Sequence, residues 1–216
     1  MKEAALISEL VKPLRGVYPR FTMYHVYLML TELLKNQPLG RLALMKRLGL
    51  GEASIKTLIK RLREKNLVVV DRVAGVLLTD LGRAAAENIN LHVRLLGYLP
   101  IRDLCEGNYT GYGVALRGGI DLIKHYGGPL AVRDCIVRYG AEGALVIYLI
   151  NSKLYLPTPK ELEELAGATE MSSAIRKCKS LKSGDAILIS ICKSGDSSCP
   201  SYVVNAAIEI LGKVDC

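Results

Sequence analysis

The chain is 216 residues long, 50% hydrophobic and formally +8 at pH 7, with 29 Lys or Arg against 21 Asp or Glu. That length suits two small domains, and that apolar fraction excludes a globally disordered chain. No apolar run of about 18 residues occurs, and the acids inside the N-terminal MKEAALISELVK do not suit a signal peptide, so a soluble cytoplasmic protein without membrane contact is expected.

Residues 2–12 place Ala5, Leu6, Leu10 and Val11 on a helical stripe before Pro13, as a short helix that pads the following domain or pairs with its mate in a dimer. Residues 22–36 read as a strong helix with an apolar face of Val26, Leu28, Met29, Leu30 and Leu33, and with Tyr24 and His25 as packing or capping residues at its start. A third helix spans 41–48, with Leu42, Leu44, Met45 and Leu48 inward. Gly49 and Gly51 then break the chain before a basic helix over 52–66.

In that helix Ile55, Leu58, Ile59 and Leu62 recur at i, i+3, i+4 and i+7 and gather into one stripe facing a core. Residues 67–70 and 76–79 read as strands around a turn at 71–75, with Arg72 at its tip. Helix, short Gly-containing turn, basic helix and hairpin together give a winged helix-turn-helix. Thr79 caps a further helix running to residue 96.

Residues 1–97 hold 16 basic and 8 acidic side chains, whereas residues 98–216 hold 13 of each, so all of the excess positive charge is N-terminal. Residues 41–72 alone carry nine basic groups against three acidic ones. A cationic surface on this motif suits a phosphate backbone. Candidate contacts are Ser54, Lys56, Thr57, Lys60 and Arg61 on the second helix of the motif, Arg41, Lys46 and Arg47 on phosphates, and Arg72 in the wing.

Gly97 to Gly113, rich in glycine and containing Pro100, reads as the boundary between domains 1–97 and 98–216. Beyond it the expectations are strands at 114–117 and 120–124, a helix at 130–139 and a hairpin over 144–156 turned at Asn151 and Ser152. LVIYLI, apolar on both faces, is then a central strand. Helices at 159–165 and 172–179, a strand at 185–191 and a helix at 199–211 complete a small α+β domain, with helices on one face of a mostly antiparallel sheet.

The cysteines, at 105, 135, 178, 192, 199 and 216, form no C-x-x-C pair, and the histidines lie far from one another, so no metal is expected. Cys192 and Cys199 flank the turn KSGDSS, and whether they bridge is left open. GNYTGYGVALRGG has five glycines but lacks a following Lys-Ser or Lys-Thr and does not open a helix after a strand, so neither phosphate-binding fingerprint fits. No nucleophile and base set stands out. An enzyme and a cofactor are not expected.

The join of PLGRLALMKRLGLGEASIKTLIKRLREKNLV to AVRDCIVRYGAEGALVIYLINSKLYLPTP and SGDAILIS resembles an uncharacterised archaeal family of winged-helix proteins with an α+β C-terminal domain, over most of residues 22–212. The C-terminal half of that family is similar in fold to the insert domain of bacterial-type aspartyl-tRNA synthetases. The resemblance implies a regulator-like architecture. It leaves function where the basic helix-turn-helix and the neutral second domain put it: a homodimeric transcriptional regulator that binds double-stranded DNA, with the second domain sensing a small-molecule effector or mediating dimerisation. The alternative is a protein- or RNA-interaction module without duplex binding.

Overall fold

The computed structural model describes residues 2–14, 16–102, 107–158, 160–165, 170–178 and 180–213. The chain separates into two compact units, Met1–Leu91 and His92–Cys216.

The first unit runs α1 (Lys2–Leu10), α2 (Met23–Asn36), α3 (Arg41–Leu48), α4 (Glu52–Glu64), β1 (Val68–Asp71), β2 (Gly75–Leu78) and α5 (Asp80–His92). Periodicity decides which side of α4 is buried: Ile55, Leu58, Ile59 and Leu62 are inside, while Lys56, Lys60 and Arg63 are exposed. Fully burying one such aliphatic side chain is worth about 1.5–3 kcal/mol, so four in register fix the helix rotation. Asn66, left-handed at φ 55°, ends α4 two residues earlier than its apolar pattern suggests. Two expected faces are wrong. Leu42 is 74% exposed, and α1 buries Ala4, Ile7 and Leu10 in place of the stripe through Ala5 and Leu6.

Caps hold the helix starts. The Thr22 N–H donates to His25 Nδ1 at 3.1 Å, making His25 a cap of α2, and burial lowers its pKa. Thr79 Oγ1 accepts the Gly82 N–H at 2.9 Å and donates to the Asn66 carbonyl at 2.6 Å. Gly82 is required beside this cap, because a Cβ there would lie 1.8 Å from the Leu67 oxygen. Thr79→Ala should cost about 1 kcal/mol. An unchanged thermal midpoint would show that the cap contributes nothing.

The second unit runs β3 (Val93–Leu99), β4 (Tyr109–Leu116), α6 (Gly119–Tyr126), α7 (Gly128–Arg138), β5 (Gly143–Ile150), β6 (Lys153–Pro157), β7 (Leu162–Glu164), α8 (Glu170–Arg176), β8 (Ala186–Lys193) and α9 (Cys199–Lys213). Its sheet has the order β3-β4-β8-β5-β6-β7, antiparallel at each neighbouring pair. The molecule is thus mixed α+β, with a helical N-terminal region followed by an antiparallel-sheet domain.

The two middle strands are apolar on both faces because both are covered. Ile187, Ile189 and Ile191 of β8 pack with Met171 and Ile175 of α8. The alternate residue Ser190 donates to the Cys199 carbonyl of α9 on the other face. Helices therefore flank both faces of the sheet rather than the single face expected. Cys192 and Cys199 form a disulfide that joins the end of β8 to the start of α9.

Two segments beyond residue 113 form an element of a different kind from the one expected. Residues 120–124 lie in α6 and not in a strand: the chain reverses at Gly118, left-handed at φ 61°, whose N–H donates to buried Asp185, and helix formation then buries Ile123. Residues 162–164 form β7 instead of a helix, because the Thr158–Glu161 turn returns them to the open edge of β6. Pro159 of that expected helix and Lys179 of the next lie outside the described residues.

The presumed boundary at 97–113 is largely sheet, with residues 103–106, including Cys105, outside the described residues. Two of its glycines, Gly111 and Gly113, serve close packing. A Cβ at Gly113 would be 2.5 Å from Leu99 Cδ1, and one at Gly111 would be 2.6 Å from Ile101 Cγ2. Pairing of Val93 onward with β4 also stops α5 at His92, short of residue 96.

One polar cluster joins the helices on the α9 face. Glu209 of α9 accepts from the Tyr126 and Tyr139 hydroxyls, each at 2.8 Å, and from Arg138 at 2.9 Å, and it pairs with Lys213 at 2.9 Å. Burial raises the Glu209 pKa, but these donors outweigh it and hold the carboxyl at about 2. Burial, and after it the same carboxylate, pushes the Tyr126 and Tyr139 hydroxyls far upward.

Candidate nucleic-acid interface

The charged surface of the first unit is built by α3, α4 and the hairpin. Gly49, left-handed at φ 66°, ends α3, and Gly51 precedes the first residue of α4, which gives the short turn between them. Leu39, just before α3, exchanges backbone hydrogen bonds with Val76 at 3.1 and 2.9 Å and so ties the hairpin to the helix pair. Only glycine fits at position 75, where φ is 113° and a Cβ would lie 2.6 Å from the Leu39 oxygen. At the tip, the Asp71 carboxylate accepts the Ala74 and Val73 N–H groups at 2.6 and 2.8 Å. These bonds lower its pKa and occupy the one acid of the turn.

Between α4 and the hairpin lies a groove of about 490 Å³ whose lining includes Arg41, Lys56, Arg63 and Arg72 together with Ile59, Val70, Val73 and Val76. Lys56, Lys60 and Arg63 stand at i, i+4 and i+7, forming one exposed basic stripe beside it. Arg63, which lines this groove, is not among the candidates drawn from the sequence. The signal was present, since Arg63 shares a helical face with the two lysines that were chosen.

Each remaining candidate has a definite place. Lys46 is exposed and has no ion pair among the described residues. Arg47 is held by Glu32 of α2. Ser54 is half-buried on the flank opposite the stripe, and Thr57 donates its hydroxyl to the Ala53 carbonyl at 2.9 Å. Arg61 is a correction: it is 8% exposed, and its Nη1 donates to the Leu10 and Lys12 carbonyls at 2.6 and 2.8 Å, so it does not present a cation to solvent. Its buried Nε has no partner, which costs about 1–3 kcal/mol.

An acid intrudes on the basic surface. Glu52 lies 2.8 Å from Lys56 and 3.9 Å from Arg41, and its hydrogen bond to Lys56 is the main reason its pKa is lowered. Glu52→Gln releases both cations and should tighten polyanion binding by about threefold, while removing a negative charge that favours the N-terminus of α4. Weaker binding to a mixed-sequence duplex would contradict that assignment.

Among the described residues no cluster of His, Cys, Asp or Glu could hold a metal ion, and no helix is long and apolar enough to cross a membrane. Residues 108–210 match the model of a domain of unknown function, DUF4443. This match lies within the second unit. The chain is also similar in structure to hypothetical protein PH0730 from Pyrococcus horikoshii OT3, with a TM-score of 0.55 and 22% identity over 86% of this chain and 89% of that one. No curated protein matches. The DUF4443 match and this likeness support an uncharacterised archaeal family and assign it no activity; they do not bear on a winged helix or on a likeness to the synthetase insert domain.

Proposed function

We propose that the first unit is a winged helix-turn-helix that binds duplex DNA, with α4 as its recognition helix and the β1–β2 hairpin as its wing. The observation that carries this reading is the exposed stripe Lys56, Lys60 and Arg63, continued by Arg41 and Arg72 around one groove. Cations so placed neutralise phosphates and release counterions, while residues near the start of α4 face base edges. In this reading the chain is a transcriptional regulator, and the second unit dimerises it or senses an effector. A homodimer would present two such faces to half-sites about 34 Å apart.

The test is a fluorescence-anisotropy titration of the full chain with a mixed-sequence duplex from low to moderate salt. Binding that weakens steeply with salt is expected. No affinity at the lowest salt would end the proposal.

The alternative is a protein- or RNA-interaction module, and one feature favours a protein partner. The groove lining is substantially apolar, through Ile59, Val70 and Val76, which phosphate binding does not require. Binding of an acidic amphipathic peptide, without duplex affinity, would select it.

A further inference from the structure

Arg61 of α4 and Lys65, the residue that follows the helix, are one turn apart and both point away from the basic stripe, toward the end of α1. Lys65 pairs with Glu9 at 2.6 Å. The Arg61 guanidinium donates to the carbonyl of Leu10, the last residue of α1, and to that of Lys12, and it lies 5.5 Å from the centre of the buried Phe21 ring. The carbonyls at a helix C-terminus lack intrahelical partners and carry partial negative charge, so the guanidinium caps α1 from another helix. Among the described residues no carboxylate forms an ion pair with Arg61. A buried cation held by backbone oxygens and a ring face is sensitive to where those oxygens sit.

The apolar stripe of α4 fixes one side of the helix and this cap fixes the flank next to it. Ala4, Ile7 and Leu10 of α1 are buried, and Ser8 reaches Met23 of α2 at 3.2 Å, so α1 is itself anchored and can serve as a brace.

We infer that Arg61 is a positioning residue: it couples the N-terminal helix α1 to α4, and the docking of α1 sets the duplex affinity of a basic face that Arg61 does not join. This rests on the DNA-binding reading above. It differs from a phosphate role for Arg61 in a measurable way, because a lost phosphate contact lowers the salt dependence of binding by about 0.9 in the log–log slope, whereas a lost brace does not.

The experiment uses the full chain as wild type, as Arg61→Met, which keeps the stem over Phe21 without donors, as Arg61→Lys, which keeps the charge, and as a deletion of residues 2–12. Amide hydrogen exchange of residues 2–10 and anisotropy titrations with a mixed-sequence duplex at several salt concentrations are read on each. Arg61→Met is expected to speed exchange in α1 and to weaken duplex binding by about tenfold at unchanged slope, with partial rescue in Arg61→Lys. The deletion should weaken binding by a similar factor, and Arg61→Met in the deleted chain should add nothing further, since the two changes remove one coupling.

A slope reduced by about 0.9 would make Arg61 a phosphate contact and overturn the inference. Faster exchange with unchanged affinity would overturn it as well, leaving only a structural cap. Unchanged exchange would show that Arg61 does not hold α1. A wild-type chain that binds no duplex at all would defeat the DNA reading and the affinity half of the inference, and the exchange arm would still decide the coupling.

Discussion

Replacing Lys56, Lys60 and Arg63 together by alanine should lower the log–log salt slope of duplex binding by about 2.7, because each cation that neutralises a phosphate contributes about 0.9. The same coefficient makes each contact worth about eightfold between 1 M and 0.1 M salt, so the three together account for about 500-fold of the affinity at 0.1 M. All three side chains are exposed on one face of α4, and the ion pairs of the two lysines are with i,i+4 neighbours on that same helix. Lys56 is shared with Glu52, and Lys60 reaches Glu64 only at 3.9 Å, so part of the gain on binding goes to breaking these contacts.

Arg47→Ala is the internal comparison. Its guanidinium is engaged by Glu32, and its loss should change the slope by much less than one unit. A triple variant with the slope of the wild type would show that this face does not meet phosphate. A large effect at Arg47 would move the interface toward α3.

The second large effect is expected far from this surface, at Glu209. Glu209→Ala leaves two tyrosine hydroxyls without their acceptor and two cations without their counter-charge. Breaking a fully buried charged cluster costs about 3–5 kcal/mol. Here the Glu209 side chain is 19% exposed, and those of Arg138 and Lys213 are each 60% exposed, so both cations regain water and about 2 kcal/mol is the expected loss.

The pH dependence has a definite sign. The folded pKa of about 2 lies below the ordinary value of 4.5, so the contribution is present above pH 4.5 and is lost as pH falls from 4.5 toward 2. The full shift corresponds to about 3.4 kcal/mol, and solvent screening reduces it to about 2. Urea unfolding at pH 7 and pH 3 should therefore show the wild type losing more stability than Glu209→Gln on acidification. Equal losses would mean that the carboxylate charge is not held by this cluster.

Other features were legible only where a local rule had no rival. The start of α2 is readable because His25, three residues after Thr22, sits where a capping side chain reaches back. The turn at Asn151 and Ser152 is readable because two polar residues separate apolar runs, and both adopt positive φ. Residues 162–164 were not readable as a strand, since three exposed residues carry no pattern of their own and pair only because β6 offers an edge. Gly111 and Gly113 suggested a linker because glycine marks loops and close packing alike.

The amphipathic pattern by itself determined the order of helix, turn, basic helix and hairpin over residues 41–79, and the concentration of positive charge there, because burial at helical period and net charge are properties of a local stretch. Only the tertiary structure decided which cations are free. Arg61 and Arg63 look alike in sequence, yet Arg63 lines the groove and Arg61 is buried under α1. The partners that make this difference come from as far as 51 residues away, and no local periodicity encodes a contact at that separation.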